Sequence, residues 1–231
     1  MTDFPRYAIY YAPPAADPLA RFGAGVLGYD AFSGREVPFP AEVAAVFADW
    51  PVLTNDPRKY GFHATLKAPF ALAPGRDEAA LLAAFDVFTA APRAIPTIVP
   101  VVRAISGFIA IVPDEPSADL AALAQECVEA FEDFRAAMSP ADRARRKPEL
   151  LTPRQVEQLD RFGYPYVRDD FRFHMTLTGR LPPERGADVL ALLQAQFGVL
   201  ALTTLRIDRI ALFRQADAHS RFRVLREATM N

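Results

Sequence analysis

The sequence predicts an α+β fold: a duplicated unit whose sheets are largely antiparallel. Three observations carry this. Residues 62–66 read Phe62-His63-Ala64-Thr65-Leu66 and residues 173–177 read Phe173-His174-Met175-Thr176-Leu177. Both alternate apolar and polar with the period of a strand, so histidine and threonine share one face and the apolar residues the other. The two copies lie 111 positions apart, close to half of the 231 residues. Strand-like and helix-like segments recur around each copy in the same coarse order, with no linker long enough to separate two independent domains. The chain therefore reads as a single bilobal domain over residues 1–231, built from two pseudo-repeats.

Each element follows from local chemistry. Residues 6–12 are aromatic and β-branched, stop at Pro13-Pro14, and predict the first strand. Residues 18–40, with Gly23, Gly25, Gly28 and Gly34, predict an irregular covering loop with a short strand near residues 26–29. No Lys-Ser or Lys-Thr follows these glycines, so they do not form a phosphate loop. Residues 41–50 show helical spacing, and residues 51–59 read as a polar turn leading into the first motif strand, residues 60–67, which Pro69 ends. An amphipathic helix is predicted over 77–90. A hairpin follows over 97–105 and 107–112, turning at Ser106-Gly107. The longest helix is predicted over 117–137, capped by Ser117. Thr152-Pro153-Arg154-Gln155 combines an N-cap, a proline at the first helical position and a capping box, and Gly163 ends that helix. The second motif strand is predicted over 171–179, then a helix over 183–197 and strands over 201–213 and 222–225.

Composition sets the outer bounds. Hydrophobic residues make up 51% and charged residues 23%, ordinary values for a globular protein. A net charge of −2 argues against wholesale binding to nucleic acid or anionic membrane, while leaving room for a local basic cleft. The single cysteine, Cys127, excludes an internal disulfide, fits a reducing compartment, and lies in a helical apolar pattern as a small core residue. The N-terminus from Met1 to Arg6 has no basic segment followed by an apolar one, and no apolar run reaches the length of a membrane span. These readings predict a compact cytoplasmic protein.

The chemistry lies on the polar faces of the two motif strands. Strict alternation puts Lys67 beside His63 and Thr65, and Arg172 and Thr178 beside His174 and Thr176. Two imidazoles, two hydroxyls and at least two cations suit an anionic phosphorus centre. Histidine can serve as general acid or general base near pH 7, hydroxyls can donate to non-bridging oxygens, and cations stabilise developing negative charge. His219, in a polar turn, reads as a satisfied, half-buried residue without a chemical role. A zinc site is disfavoured, because no Cys, Asp or Glu stands at ligand spacing. A serine-hydrolase arrangement lacks its Gly-x-Ser-x-Gly turn. The basic run Arg143, Arg145, Arg146 and Lys147 reads as solvated surface, with the rival that one or two arginines reach an anionic ligand.

Two His-x-Thr motifs on strands, one per half, resemble the 2H phosphoesterase superfamily of cyclic phosphodiesterases and RNA ligase-like proteins. The flanks Tyr60-Gly61-Phe62-His63-Ala64-Thr65-Leu66-Lys67-Ala68-Pro69-Phe70 and Gly163-Tyr164-Pro165-Tyr166-Val167 look like one branch of it, the DUF1045 family associated with phosphonate metabolism. The resemblance implies a bilobal, LigT-like fold of two pseudo-symmetric lobes around a central cleft. It also implies metal- and cofactor-independent cleavage of a cyclic phosphodiester, with His63, Thr65, His174 and Thr176 as the catalytic set. Lys67, Arg172, Tyr164 and Tyr166 are added from strand facing and motif position as substrate-binding residues. The expected partner is a small phosphorylated ligand (a cyclic phosphate, nucleotide or sugar phosphate), with an RNA end as a second candidate, and the expected state is a monomer. A non-catalytic nucleotide or sugar-phosphate binding protein using the same cleft is the alternative.

Overall fold

The computed structural model describes residues 4–231; the reading of the N-terminus as lacking a signal rests in part on Met1–Asp3, which lie outside the described residues. Strand β1 (Arg6–Tyr11) is followed by helix α1 (Pro18–Leu27) and a two-stranded ladder of β2 (Tyr29–Asp30) and β3 (Arg35–Glu36). Short helices α2 (Ala41–Val46), α3 (Trp50–Leu53) and α4 (Asn55–Arg58) lead to β4 (Ala64–Ala71) and α5 (Glu78–Ala90). Next come β5 (Thr97–Ile98), the hairpin β6 (Pro100–Ile105) and β7 (Phe108–Pro113), and α6 (Ala118–Ala130). Helices α7 (Pro140–Arg145) and α8 (Pro153–Phe162) precede β8 (Met175–Thr176) and α9 (Gly186–Gly198). Strands β9 (Leu205–Arg206), β10 (Arg209–Gln215) and β11 (Arg223–Thr229) follow.

Seven strands form one sheet in the order β11-β10-β1-β4-β8-β7-β6, and its ladders are antiparallel. The fold is thus α+β with a mainly antiparallel sheet. Each side of this sheet draws on both halves of the sequence: β1 and β4 are joined by β10 and β11, while β6 and β7 are joined by β8. The two motif strands meet at the centre through the pair Ala64↔Met175. Alternation sorts the two faces. On β1, Tyr7, Ile9 and Tyr11 enter the main core, and Ala8 and Tyr10 enter a smaller cluster with Tyr29, Phe213 and Phe222. Helices α5, α6 and α9 pack on the main-core side, against β10 and β11, β4, and β6 respectively, and leave the other face open at the centre. Cys127 lies fully buried in that main core. Among the described residues, no helix is long and apolar enough to cross a membrane.

Several expectations hold closely. Ser117 caps α6 through a bond from the Leu120 amide, and the helix expected over 77–90 forms as α5, with Asp77 as its cap through the Ala80 amide. Thr152 and Gln155 make both bonds of a capping box on α8, which Gly163 closes in a left-handed conformation. Others are corrected. Residues 18–27 form a helix rather than a loop: Asp17 caps it, Pro18 starts it, and its glycines give space rather than disorder. A Cβ on Gly23 would stand 2.0 Å from the Phe62 ring, so only glycine lets α1 lie against the residue preceding His63. Residues 51–59, expected as a turn, contain α3 and α4. The first motif strand runs on through Pro69, which β4 tolerates because β8 pairs only with Ala64 and does not reach that far. The helix expected over 117–137 ends at Ala130, beyond which one short 3₁₀ turn forms. The second motif strand is cut to two residues, because the Leu177 and Thr178 amides both converge on the Ile109 carbonyl and break the alternation.

Candidate active site

The antiparallel pair Ala64↔Met175 determines the arrangement. Both residues are fully buried in the helix-side core, so their sequence neighbours point to the open face. One step either way sets His63 opposite Thr176, and Thr65 opposite His174. Each imidazole therefore sits across from the other motif's hydroxyl. All four side chains line a cleft of about 360 Å³.

Backbone contacts orient the two rings alike. Nδ1 of His63 lies 2.9 Å from the Gly61 carbonyl, and Nδ1 of His174 lies 2.7 Å from the Arg172 carbonyl. A carbonyl only accepts, so each Nδ1 carries the hydrogen and each Nε2 is left as the exchangeable atom. Thr65 Oγ1 approaches Nε2 of His63 at 3.3 Å. Gly61 presents its carbonyl from a left-handed turn at φ 76°, where a Cβ would also meet Ala31 at 2.6 Å. Tyr10 stacks on the His63 ring at 3.8 Å between centroids, with Tyr60 and Phe213 at 6.0 and 6.2 Å. Phe108 lies 5.7 Å from His174.

This apolar enclosure sets the proton affinities. Burial pushes His63 down to about 4 against the opposing Gly61 hydrogen bond, and the positive charge of a protonated His174 would push the same way. Burial lowers His174 as well, opposed by its bond to the Arg172 carbonyl. Both rings are neutral at pH 7, each with a lone pair on Nε2 facing the cleft. Burial also pushes the Tyr164 hydroxyl up to about 12 and the Tyr10 hydroxyl well above its ordinary value, so both are donors.

Of the residues added from strand facing, Tyr164 lines the cleft and the others do not. Lys67 is a correction. The β1–β4 register shifts between Tyr10↔Thr65 and Ile9↔Lys67, where two steps on β4 match one on β1. This bulge breaks the alternation beyond Thr65 and turns Lys67 to the helix side. There it is buried and donates to the Val128 carbonyl at 2.9 Å and to Glu132 at 2.7 Å. Ala68 takes its place on the cleft face. Arg172 is also a correction: its guanidinium folds back onto the carbonyls of Asp169 and Phe171 outside the cleft. Tyr166 is 46% exposed and packs edge-on behind Tyr164. Thr178 reaches the cleft wall, but its Oγ1 accepts from the Ile109 amide.

Strand reasoning missed the arginines of the cleft. Arg6, Arg146 and Arg180 line it, and none makes an ion pair with a carboxylate among the described residues. Arg6 donates to Gln215 and lies over the Phe222 ring, and Arg146 lies over Tyr164 at 5.6 Å. The basic run thus divides: Arg143 pairs with Asp160 and Arg145 with Asp142, while Arg146 turns into the cleft. The carboxylate on the rim, Asp56, pairs with Lys59. No group of three or more His, Cys, Asp or Glu among the described residues is placed to hold a metal ion.

A family model described as "Protein of unknown function (DUF1045)" matches residues 65–223, a span containing Thr65, His174 and Thr176 and beginning two residues after His63. Among curated proteins, the chain is 36% identical over 218 residues to "Ribose 1,5-bisphosphate phosphokinase PhnN" of Janthinobacterium sp. (strain Marseille), covering 91% of this chain and 47% of that protein. It is 36% identical over 225 residues to the protein of the same name from Laribacter hongkongensis (strain HLHK9), covering 96% and 51%. The chain spans about half the length of these relatives. Among solved structures, E. coli LigT complexed with 3'-AMP aligns at 12% identity and a TM-score of 0.42, covering 99% of each chain. The conserved protein of unknown function ATU0111 from Agrobacterium tumefaciens str. C58 aligns at 12% identity and a TM-score of 0.47, covering 96% and 85%.

Proposed function

The chain belongs to the DUF1045 family, and from that premise we propose that it is a two-histidine phosphodiesterase that hydrolyses a small cyclic phosphate. The observation that carries this reading is the antiparallel crossing of the two His-x-Thr motifs, with both Nε2 atoms left uncommitted by the backbone. In the proposed reaction, one imidazole takes a proton from water as the water oxygen bonds to phosphorus. One ring P–O bond breaks, and the departing alkoxide takes a proton from the other imidazole, leaving a phosphomonoester and a free hydroxyl. Thr65 and Thr176 hold the non-bridging oxygens.

His63 is assigned the base role because its aromatic surround keeps the ring unprotonated, down to about 4, when the substrate arrives. His174 takes up a proton more readily once an anionic phosphate sits beside it, and so serves as the acid. The matched i−2 carbonyl contacts of the two histidines favour reading the halves as pseudo-repeats of one unit.

The kinase name belongs to relatives about twice as long. No glycine here is followed by the lysine that a phosphate loop needs. Phosphodiester hydrolysis is the chemistry that this cleft's own groups can perform, and the relatives' name puts cyclic ribose phosphates first among substrates, with a link to phosphonate metabolism.

The test is hydrolysis of a panel of ribose cyclic phosphates and 2′,3′-cyclic nucleotides in excess EDTA. Wild type should turn over at least one member, and His63→Ala and His174→Ala should each lower kcat by about 10²–10⁴-fold while staying folded. Full activity in either variant overturns the mechanism. Stoichiometric binding of the panel with no product would instead make the protein a phosphate-ligand binder.

A further inference from the structure

Beyond the His/Thr quartet, the cleft holds more positive charge than a cyclic phosphodiester needs. Such an ester carries one negative charge, and four side chains already face it. Arg6, Arg146 and Arg180 add three guanidiniums with no carboxylate partner among the described residues, in a chain whose overall charge is −2. Two of them are grouped on the His63 side. Arg6 lies over Phe222, which stacks on Tyr60 at 5.2 Å and meets Tyr10 at 6.3 Å. Arg146 lies over Tyr164. Burial lowers Arg6, and Arg146 pushes the same way, as two cations held near each other without an anion would.

The same wall presents the hydroxyls of Tyr10, Tyr60 and Tyr164. No hydrogen bond from a protein group to these three hydroxyls is present among the described residues. A hydroxyl open to the cleft and not tied to the protein can donate to an anionic ligand oxygen in place of water. Planar guanidiniums beside tyrosine donors match the three acceptor oxygens of a phosphomonoester, which carries a charge of about −1.5 to −2 near pH 7.

We propose that the substrate carries a second phosphate, a phosphomonoester seated by Arg6, Arg146 and the Tyr10, Tyr60 and Tyr164 hydroxyls, while the His/Thr quartet opens the cyclic diester. The substrate class is then a phosphorylated sugar or nucleoside cyclic phosphate and the product a bisphosphate. This rests on the phosphodiesterase reading above. It also locates the reaction between one that forms a cyclic diester on an already phosphorylated sugar and one that accepts a bisphosphate.

The test uses matched pairs: a ribose cyclic phosphate with and without a 5-phosphate, and adenosine 2′,3′-cyclic phosphate with and without a 5′-phosphate. Wild type should favour the phosphorylated member by roughly tenfold or more in kcat/KM, the worth of one or two charge-assisted hydrogen bonds. Arg146 is solvent-exposed at the rim, so Arg146→Gln should fold normally and shrink that ratio by about tenfold. Tyr164→Phe should shrink it less. Equal kcat/KM for both members, with activity still requiring both histidines, overturns the second-phosphate site and leaves the phosphodiesterase standing. If nothing is hydrolysed, calorimetry with adenosine 3′,5′-bisphosphate against adenosine 3′-phosphate separates the two ideas. Tighter binding of the bisphosphate, weakened by Arg146→Gln, supports the second site and overturns the hydrolase. Equal binding overturns the second site.

Discussion

The Nδ1 atoms of His63 and His174 both bond the carbonyl two residues back in the chain. This common device leaves Nε2 uncommitted by the backbone on each ring, as the proposed proton transfer requires. Apolar enclosure of His63 leads to a testable consequence. Its ring should titrate near 4 in the free protein, well below an ordinary histidine, and rise when inorganic phosphate fills the cleft, as read by histidine proton NMR. A free-protein value near 6.5 would contradict the enclosure. Lys67 gives the complementary case. Lys67→Met removes the partner of the Val128 carbonyl and one of the cations on Glu132, and Arg135 remains on that carboxylate. A loss of about 1–3 kcal/mol is expected in urea denaturation, with kcat/KM near wild type, because the ammonium lies on the far side of the sheet from the cleft. A selective loss of activity without loss of stability would put the lysine back in the cleft.

Elements matter here by where they end and what they let pass. Helix α1 lies against Phe62 only because residue 23 has no side chain. Gly23→Ala should destabilise the fold by about 1–3 kcal/mol through overpacking and disturb His63 next door, so that kcat falls together with the thermal midpoint. A variant as stable and active as wild type would show that α1 moves freely against the motif. By contrast, Thr152→Ala removes the capping box of α8, away from the chemistry. It should cost about 1 kcal/mol and leave turnover per folded molecule unchanged. The bulge in β4 decides which side chains reach the cleft. It keeps His63 and Thr65 in the cleft while sending Lys67 to the helices, and gives its place to Ala68.

At the scale of the whole molecule, pH reports on the cleft. His63 has a folded value near 4 against an ordinary 6.5. Between those values the unfolded chain binds a proton that the folded chain refuses. Its contribution to stability is therefore present above about 6.5 and declines as pH falls toward 4. His174, also lowered, adds to the same slope. The thermal midpoint of wild type should drop faster over that window than that of His63→Gln, and the difference between the two curves isolates the histidine from the carboxylates. Identical slopes would show that the ring is solvated. Three cleft arginines without carboxylate partners among the described residues concentrate positive potential at one place in a mildly acidic chain.

The sequence by itself located the two motifs with His63, Thr65, His174 and Thr176, and the caps at Ser117, Thr152 and Gly163. Each of these depends on neighbours within a few positions: alternation along a strand, or a side chain reaching its own helix amides. The α+β class followed from the same local periods, and the family from the resemblance of the two motifs and their flanks. Tertiary structure alone decided the rest. Whether alternation survives to Lys67 depends on a register shift against β1, a partner more than fifty residues away. The crossing of the two motifs depends on one strand pair, Ala64↔Met175, which no local pattern encodes. Arg6, Arg146 and Arg180 come from three distant segments and converge only because the sheet merges strands from both halves of the chain. Local chemistry writes the two His-x-Thr motifs into the sequence, and long-range pairing decides what surrounds them.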